Sequence, residues 1–140
     1  MTLTLRGEEE TIAWGQRRAA QLRQGDAVLL FGPLGAGKTT LVKGIARGLG
    51  YDGHVLSPTF TILEVYDARL PIYHFDFYRI DGPEDLRAVD PREYYDQGIT
   101  LIEWPDRIEP WWPRARTELT LSIDAATRLL RAHEVRGVSR

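Results

Sequence analysis

The chain has 140 residues, 43% apolar and 27% charged, the balance of a soluble globular protein, which excludes a disordered or fibrous chain. Eighteen basic against twenty acidic side chains leave a formal charge of −2, excluding a broad basic face that grips nucleic acid directly. The absence of cysteine removes disulfides, thiolate metal sites and a cysteine nucleophile from consideration.

The opening MTLTLRGEEE lacks the basic start and apolar stretch of a secretory signal, and no apolar run approaches the roughly 18 residues of a membrane span. A single cytoplasmic domain over residues 1–140, with no membrane association, is expected. Leu3 and Leu5 alternate with Thr2 and Thr4 as a short strand. Three acids after Gly7 suit the positive end of a helix, predicted from Glu8 to Gln24 and stopped by Gly25. Its apolar face would carry Ile12, Gly15, Ala19 and Leu22 and pack on a sheet.

Ala27 to Phe31 is a continuous apolar run, as in a strand buried on both faces, and it feeds into GPLGAGKTT. A helix over about Lys38 to Leu49 follows, with Leu41, Val42, Ile45 and Leu49 inward. Phe60 to Tyr66 and Ile72 to Tyr78 read as a hairpin around a short polar link. Gly82-Pro83 and Asp90-Pro91 punctuate a short helical region. Ile99 to Ile102 is a second buried run, ending in Glu103 and broken by Pro105. Leu119 to Ile123 and Leu129 to Val135 close the chain as a hairpin around Asp124-Ala125-Ala126-Thr127. These elements predict an α/β, P-loop NTPase-like fold, a mostly parallel sheet flanked by helices with antiparallel hairpin additions.

Gly32, Gly37, Lys38 and Thr39 satisfy the phosphate-loop pattern G-x-x-x-x-G-K-[ST], with Gly35 adding backbone freedom inside it. Glycines let consecutive amides converge on a phosphate, and the following helix adds its positive end. Lys38, one of only two lysines in the chain, would reach the β and γ phosphates, and the Thr39 hydroxyl would bind bridging magnesium. Thr40 is a bystander by position.

Glu103 should project at the carboxyl edge of a parallel sheet, where such folds bind ligands, and there it would hold magnesium or orient water. A solvated strand-end acid is the plain alternative. In YHFDFYR, alternation puts Tyr73, Phe75 and Phe77 on one face and His74, Asp76 and Tyr78 on the other. Asp76, expected among large apolar groups, is either a catalytic acid or half of a structural ion pair with Arg79. His74 reads as a hydrogen-bonded structural residue rather than a ligand. Ser57-Pro58-Thr59-Phe60 reads as a turn at a place where many phosphate-binding proteins sense the γ-phosphate. Trp104 and the Trp111-Trp112 pair read as packing, or as a partner surface if exposed. Arg114, Arg116, Arg128, Arg131, Arg136 and Arg140 read as solvation of a sheet edge.

Taken together, GPLGAGKTT, SPTF, YHFDFYR and LIEWPDR, in that order and over residues 2 to 135, resemble the TsaE family of bacterial tRNA threonylcarbamoyladenosine biosynthesis proteins. The resemblance implies a small P-loop ATPase that uses ATP and magnesium, turns over little alone and serves a complex with two partner proteins. One partner would carry the transferase chemistry on tRNA, so tRNA is reached only indirectly. By matching positions it assigns the phosphates to Gly32, Pro33, Leu34, Gly35, Ala36, Gly37, Lys38, Thr39 and Thr40, and magnesium to Thr39 and Glu103. Lys38, Asp76 and Glu103 become the catalytic set, Trp104 is linked to activity, and Thr59 matches a switch-like threonine. Glu8 to Thr11 would approach adenine. Pro33 stands where the family often has Asp, outside the loop consensus. Two other functions fit a phosphate loop: a small kinase with Arg114 and Arg116 in a lid, or a module in which ATP occupancy alone assembles partners. N-K-x-D cannot occur in a chain without Asn, which disfavours a GTPase.

Overall fold

The computed structural model describes residues 2–33, 35–55 and 61–139. Its strands are β1 (Thr2–Leu5), β2 (Ala27–Phe31), β3 (Leu63–Tyr66), β4 (Ile72–Asp76), β5 (Ile99–Glu103), β6 (Ala115–Ile123) and β7 (Leu130–Ser139), and its α-helices are α1 (Glu8–Ala19) and α2 (Lys38–Gly48). They form one seven-stranded sheet in the order β1-β7-β6-β2-β5-β4-β3. The run β6-β2-β5-β4 is parallel throughout, and antiparallel pairs close both edges. The expected fold class is the one observed.

Strand alternation divides the core in two. Val28, Leu30, Ile72, Ile99, Leu101, Leu119 and Leu121 join residues of α1 and α2 in one cluster. Leu29, Phe75, Phe77 and Ile102 point the other way, onto Ile80 and Ile108, with Trp104, Trp111 and Trp112 packed at the margin. Both α-helices therefore cover one face, and irregular aromatic-rich segments cover the other. Trp112 lies edge-on to Phe31 with centroids 5.7 Å apart and donates its indole N–H to the Pro105 carbonyl at 2.7 Å, the packing role read for it.

The two helices approach to backbone contact. A Cβ built on Gly44 of α2 would lie 2.4 Å from the Ile12 carbonyl oxygen of α1, so no larger residue fits there without parting the helices. The buried side of α1 includes Thr11, Trp14, Gly15, Arg18 and Ala19, whereas Ile12 is only half-buried. This helix ends at Ala19, short of the expected Gln24. Gln21 and Leu22 donate to carbonyls three residues back, tightening the last turn, and Arg18 is drawn into the core to Glu134 on β7 at 2.6 Å. The helical region after Gly82 is reduced to two single turns, Pro83–Asp85 and Pro91–Glu93, each begun by its proline. Strand β4 stops at Asp76 rather than Tyr78, because the Asp76 carboxylate accepts the Tyr78 backbone N–H at 2.9 Å and turns the chain. The closing hairpin is longer than expected, and Asp124 shapes its turn by accepting the Ala126 and Thr127 N–H groups, each at 2.9 Å.

Candidate functional site

The site sits at the carboxyl ends of β2, β5 and β4. Strand β2 delivers the chain to Gly32, whose φ of 145° and proximity to β6 both demand glycine: a Cβ would sit 2.6 Å from the Leu121 carbonyl oxygen. The Pro33 carbonyl accepts the Ala36 N–H at 3.2 Å, and Gly37, with φ 98°, caps α2. The loop thus ends on the open N–H groups of a helix that begins at Lys38. Leu34, and Thr59 with the rest of SPTF, lie outside the described residues.

Lys38 is 5% exposed. Its ammonium donates to the Gly32 carbonyl at 2.5 Å and lies 3.8 Å from the Trp104 ring centroid. Burial pulls its pKa below the usual lysine value, while Glu103, Asp76 and Asp106 pull it back up. Trp104 holds a left-handed backbone conformation, φ 56° and ψ 51°, which turns the chain sharply after Glu103. Its ring also meets Tyr78 at 5.0 Å and the Arg107 guanidinium at 5.7 Å.

Glu103 is no solvated acid, being only 3% exposed. The Thr39 hydroxyl stands 3.4 Å from each of its carboxylate oxygens, long for a hydroxyl–carboxylate bond. His74 Nε2 lies 2.5 Å from Glu103 Oε2, and His74 Nδ1 lies 2.8 Å from the Tyr66 hydroxyl. His74 is hydrogen-bonded as the sequence suggested, with Glu103 as the partner. Asp76 pairs in register with Glu103 across β4 and β5. Its carboxyl is pushed above the usual range, first by burial and then by the Glu103 charge, against the opposing effects of the Tyr78 N–H, His74 and Lys38. Asp76 is thus half-buried beside the charges of Glu103, His74 and Lys38, while Phe75 and Phe77 belong to the cluster on the other face of the sheet.

Beyond the loop lies a cavity of about 300 Å³ lined by Glu8, Thr11, Gly35, Gly37, Thr40 and Arg128, among others. Thr11 is buried and donates its hydroxyl to the Gly7 carbonyl at 3.0 Å, while Glu8 stays exposed. Thr40 faces this cavity, on a different side of α2 from Thr39. The basic stretch of the third part of the chain divides: Arg128 reaches the cavity, and Arg116 is buried under Trp112, 4.9 Å from the ring, donating to the Pro113 carbonyl at 3.1 Å. Arg116 thus solvates no edge and is not placed in a lid. Arg107 was missed altogether; LIEWPDR contains it, but only the fold of residues 103–111 brings it to Trp104.

A strand, a glycine loop and a helix on a parallel sheet, with a buried acid at the end of the adjacent strand facing the loop threonine, define a P-loop-type α/β protein. The family model of the threonylcarbamoyl adenosine biosynthesis protein TsaE matches residues 5–132, and the chain belongs to that family. A tRNA threonylcarbamoyladenosine biosynthesis protein TsaE of Synechocystis is 46% identical over 104 residues, 70% of this chain and 66% of that relative. The one of Treponema pallidum is 39% identical over 124 residues, covering 88% of this chain and 92% of its own. The crystal structure of YdiB from Bacillus subtilis superposes with a TM-score of 0.81 at 34% identity, over 98% of this chain and 86% of that one. Among the described residues, no helix is long and apolar enough to cross a membrane.

Proposed function

We propose that this protein is an ATP- and magnesium-dependent ATPase that serves, with two partner proteins, the formation of threonylcarbamoyladenosine in tRNA. The observation that carries the reading is the meeting of Thr39 and Glu103 at the N-terminus of α2, beside Lys38. A triphosphate suits this place: glycine backbone, helix N–H groups and one ammonium offer donors and positive charge. Thr39 and Glu103 would hold magnesium through oxygen, the remaining ligands being phosphate and water, and bound magnesium would neutralise charge on the phosphates. The cavity bordered by Glu8 and Thr11 is of a size for the nucleoside.

In this reading Lys38 leaves the Gly32 carbonyl for the phosphates. Glu103 orients the attacking water. Asp76, whose carboxyl takes up a proton more readily than usual, stands within the same charge cluster as an acid that can accept one. The catalytic set of Lys38, Asp76 and Glu103 thus converges on one edge of the sheet. The net charge of −2 agrees with a protein that meets tRNA only through its partners. The test is phosphate release from ATP by the protein alone, then with the two partner proteins and tRNA present. Stimulation in the mixture is expected. Full turnover alone, or transfer of the γ-phosphate to a metabolite, would replace this reading with a free-standing hydrolase or a kinase.

A further inference from the structure

His74 is fully buried on β4, on the sheet face shared with Glu103 and α2. It lies two cross-strand pairs back from the Asp76–Glu103 pair, on the same face, so its ring reaches diagonally forward to the Glu103 carboxylate. A carboxylate oxygen only accepts hydrogen bonds, so Nε2 carries the proton and donates. In the neutral ring Nδ1 is an acceptor, and the Tyr66 hydroxyl, 2.8 Å away, is placed to donate to it. Tyr66 is itself 3% exposed, and burial pushes its phenol far above the usual range, which keeps the hydroxyl proton in place. The result is a one-way chain across three neighbouring strands, Tyr66 of β3 to His74 of β4 to Glu103 of β5, ending opposite Thr39 of α2.

A histidine buried only for packing would be satisfied by any nearby carbonyl. Here both ring nitrogens are committed, one of them to the acid of the candidate site. We propose that His74, backed by Tyr66, is a positioning residue for Glu103, holding its carboxylate in the orientation that faces Thr39 so that the two present oxygens to magnesium together. The inference rests on the ATP and magnesium reading above. Hydrogen-bond partners behind a metal ligand commonly govern metal affinity by about 10- to 100-fold.

The experiment measures ATP affinity by calorimetry in EDTA, the apparent magnesium affinity of the ATP-loaded protein, and the melting temperature, for the full chain and three variants. His74→Leu keeps bulk and loses both bonds; magnesium affinity should fall about 10- to 100-fold, with ATP affinity in EDTA within about twofold. Tyr66→Phe deletes one oxygen and should lower magnesium affinity about 2- to 10-fold. His74→Gln, whose side-chain amide can still donate to Glu103, should restore most of it. A role in packing alone would lower the melting temperature and leave the magnesium affinity where it was. Wild-type magnesium affinity in Tyr66→Phe, or His74→Gln as impaired as His74→Leu, overturns the inference; these two variants carry the test if His74→Leu does not fold. If the unmodified chain binds no ATP, the proposed function falls and this inference with it, whereas normal ATP binding with unmoved magnesium affinity sinks the inference alone.

Discussion

Replacing Lys38 by methionine keeps most of the side-chain volume and removes the charge. The ammonium has partners within the chain, the Gly32 carbonyl at 2.5 Å and the Trp104 ring at 3.8 Å. Contacts from an ammonium to phosphate contribute about 1.5–3 kcal/mol. Giving up the Gly32 carbonyl and the ring offsets about 1 kcal/mol or more of this. The net loss on substitution is about 1–2 kcal/mol, a weakening of about 5- to 30-fold. Because burial disfavours the charged form of Lys38, the melting temperature without nucleotide should hold or rise. Calorimetric titration with magnesium ATP, beside a thermal melt, reads both quantities. Binding by Lys38→Met within twofold of the unmodified protein would refute the assignment of Lys38 to the phosphates.

Glu103→Gln keeps an acceptor for His74 and should leave ATP affinity within a few fold while suppressing partner-stimulated hydrolysis by roughly 100-fold or more; undiminished phosphate release would remove Glu103 from the chemistry. Asp76 has a folded pKa above its unfolded one, so its contribution to stability is greatest below the unfolded value and is lost as pH rises through the folded value. Asp76→Asn should therefore hold or raise the melting temperature at neutral pH and flatten that part of the pH–stability profile while lowering hydrolysis; a lower melting temperature with normal hydrolysis would make Asp76 structural. Gly44→Val forces a Cβ to within 2.4 Å of the Ile12 carbonyl oxygen, and overpacking of this kind costs about 1–3 kcal/mol, or about 3–12 °C in melting temperature. A melt unchanged within 1–2 °C, roughly the smallest shift that a few tenths of a kcal/mol produces, would contradict the backbone contact between α1 and α2.

The part of the fold nearest the loop was legible because local rules and tertiary structure agree there. Ala27 to Phe31 is apolar on both faces and forms the central strand, and Lys38 opens the helix that follows. Strand alternation also placed His74 and Asp76 on one face correctly. It could not say what that face meets, since one partner of His74, Glu103, lies 29 residues away and depends on the β4–β5 register. The end of α1 also differs from periodicity alone: after Ala19 the chain tightens into bonds to carbonyls three residues back, at Gln21 and Leu22. Arginines that look alike along the third part of the chain separate only in space, Arg116 beneath an indole and Arg128 on a cavity.

The glycine contact between the helices ties the rim of the cavity to the glycine loop. Helix α1 carries Glu8 and Thr11 to the rim of the cavity, and α2 begins with Lys38 and Thr39 at the end of the glycine loop. Because Gly44 and Ile12 meet main chain to main chain, the spacing between those two regions is set by atoms common to every residue. On the reading proposed above, side chains along the rim can vary without moving the start of α2, where Lys38 and Thr39 stand.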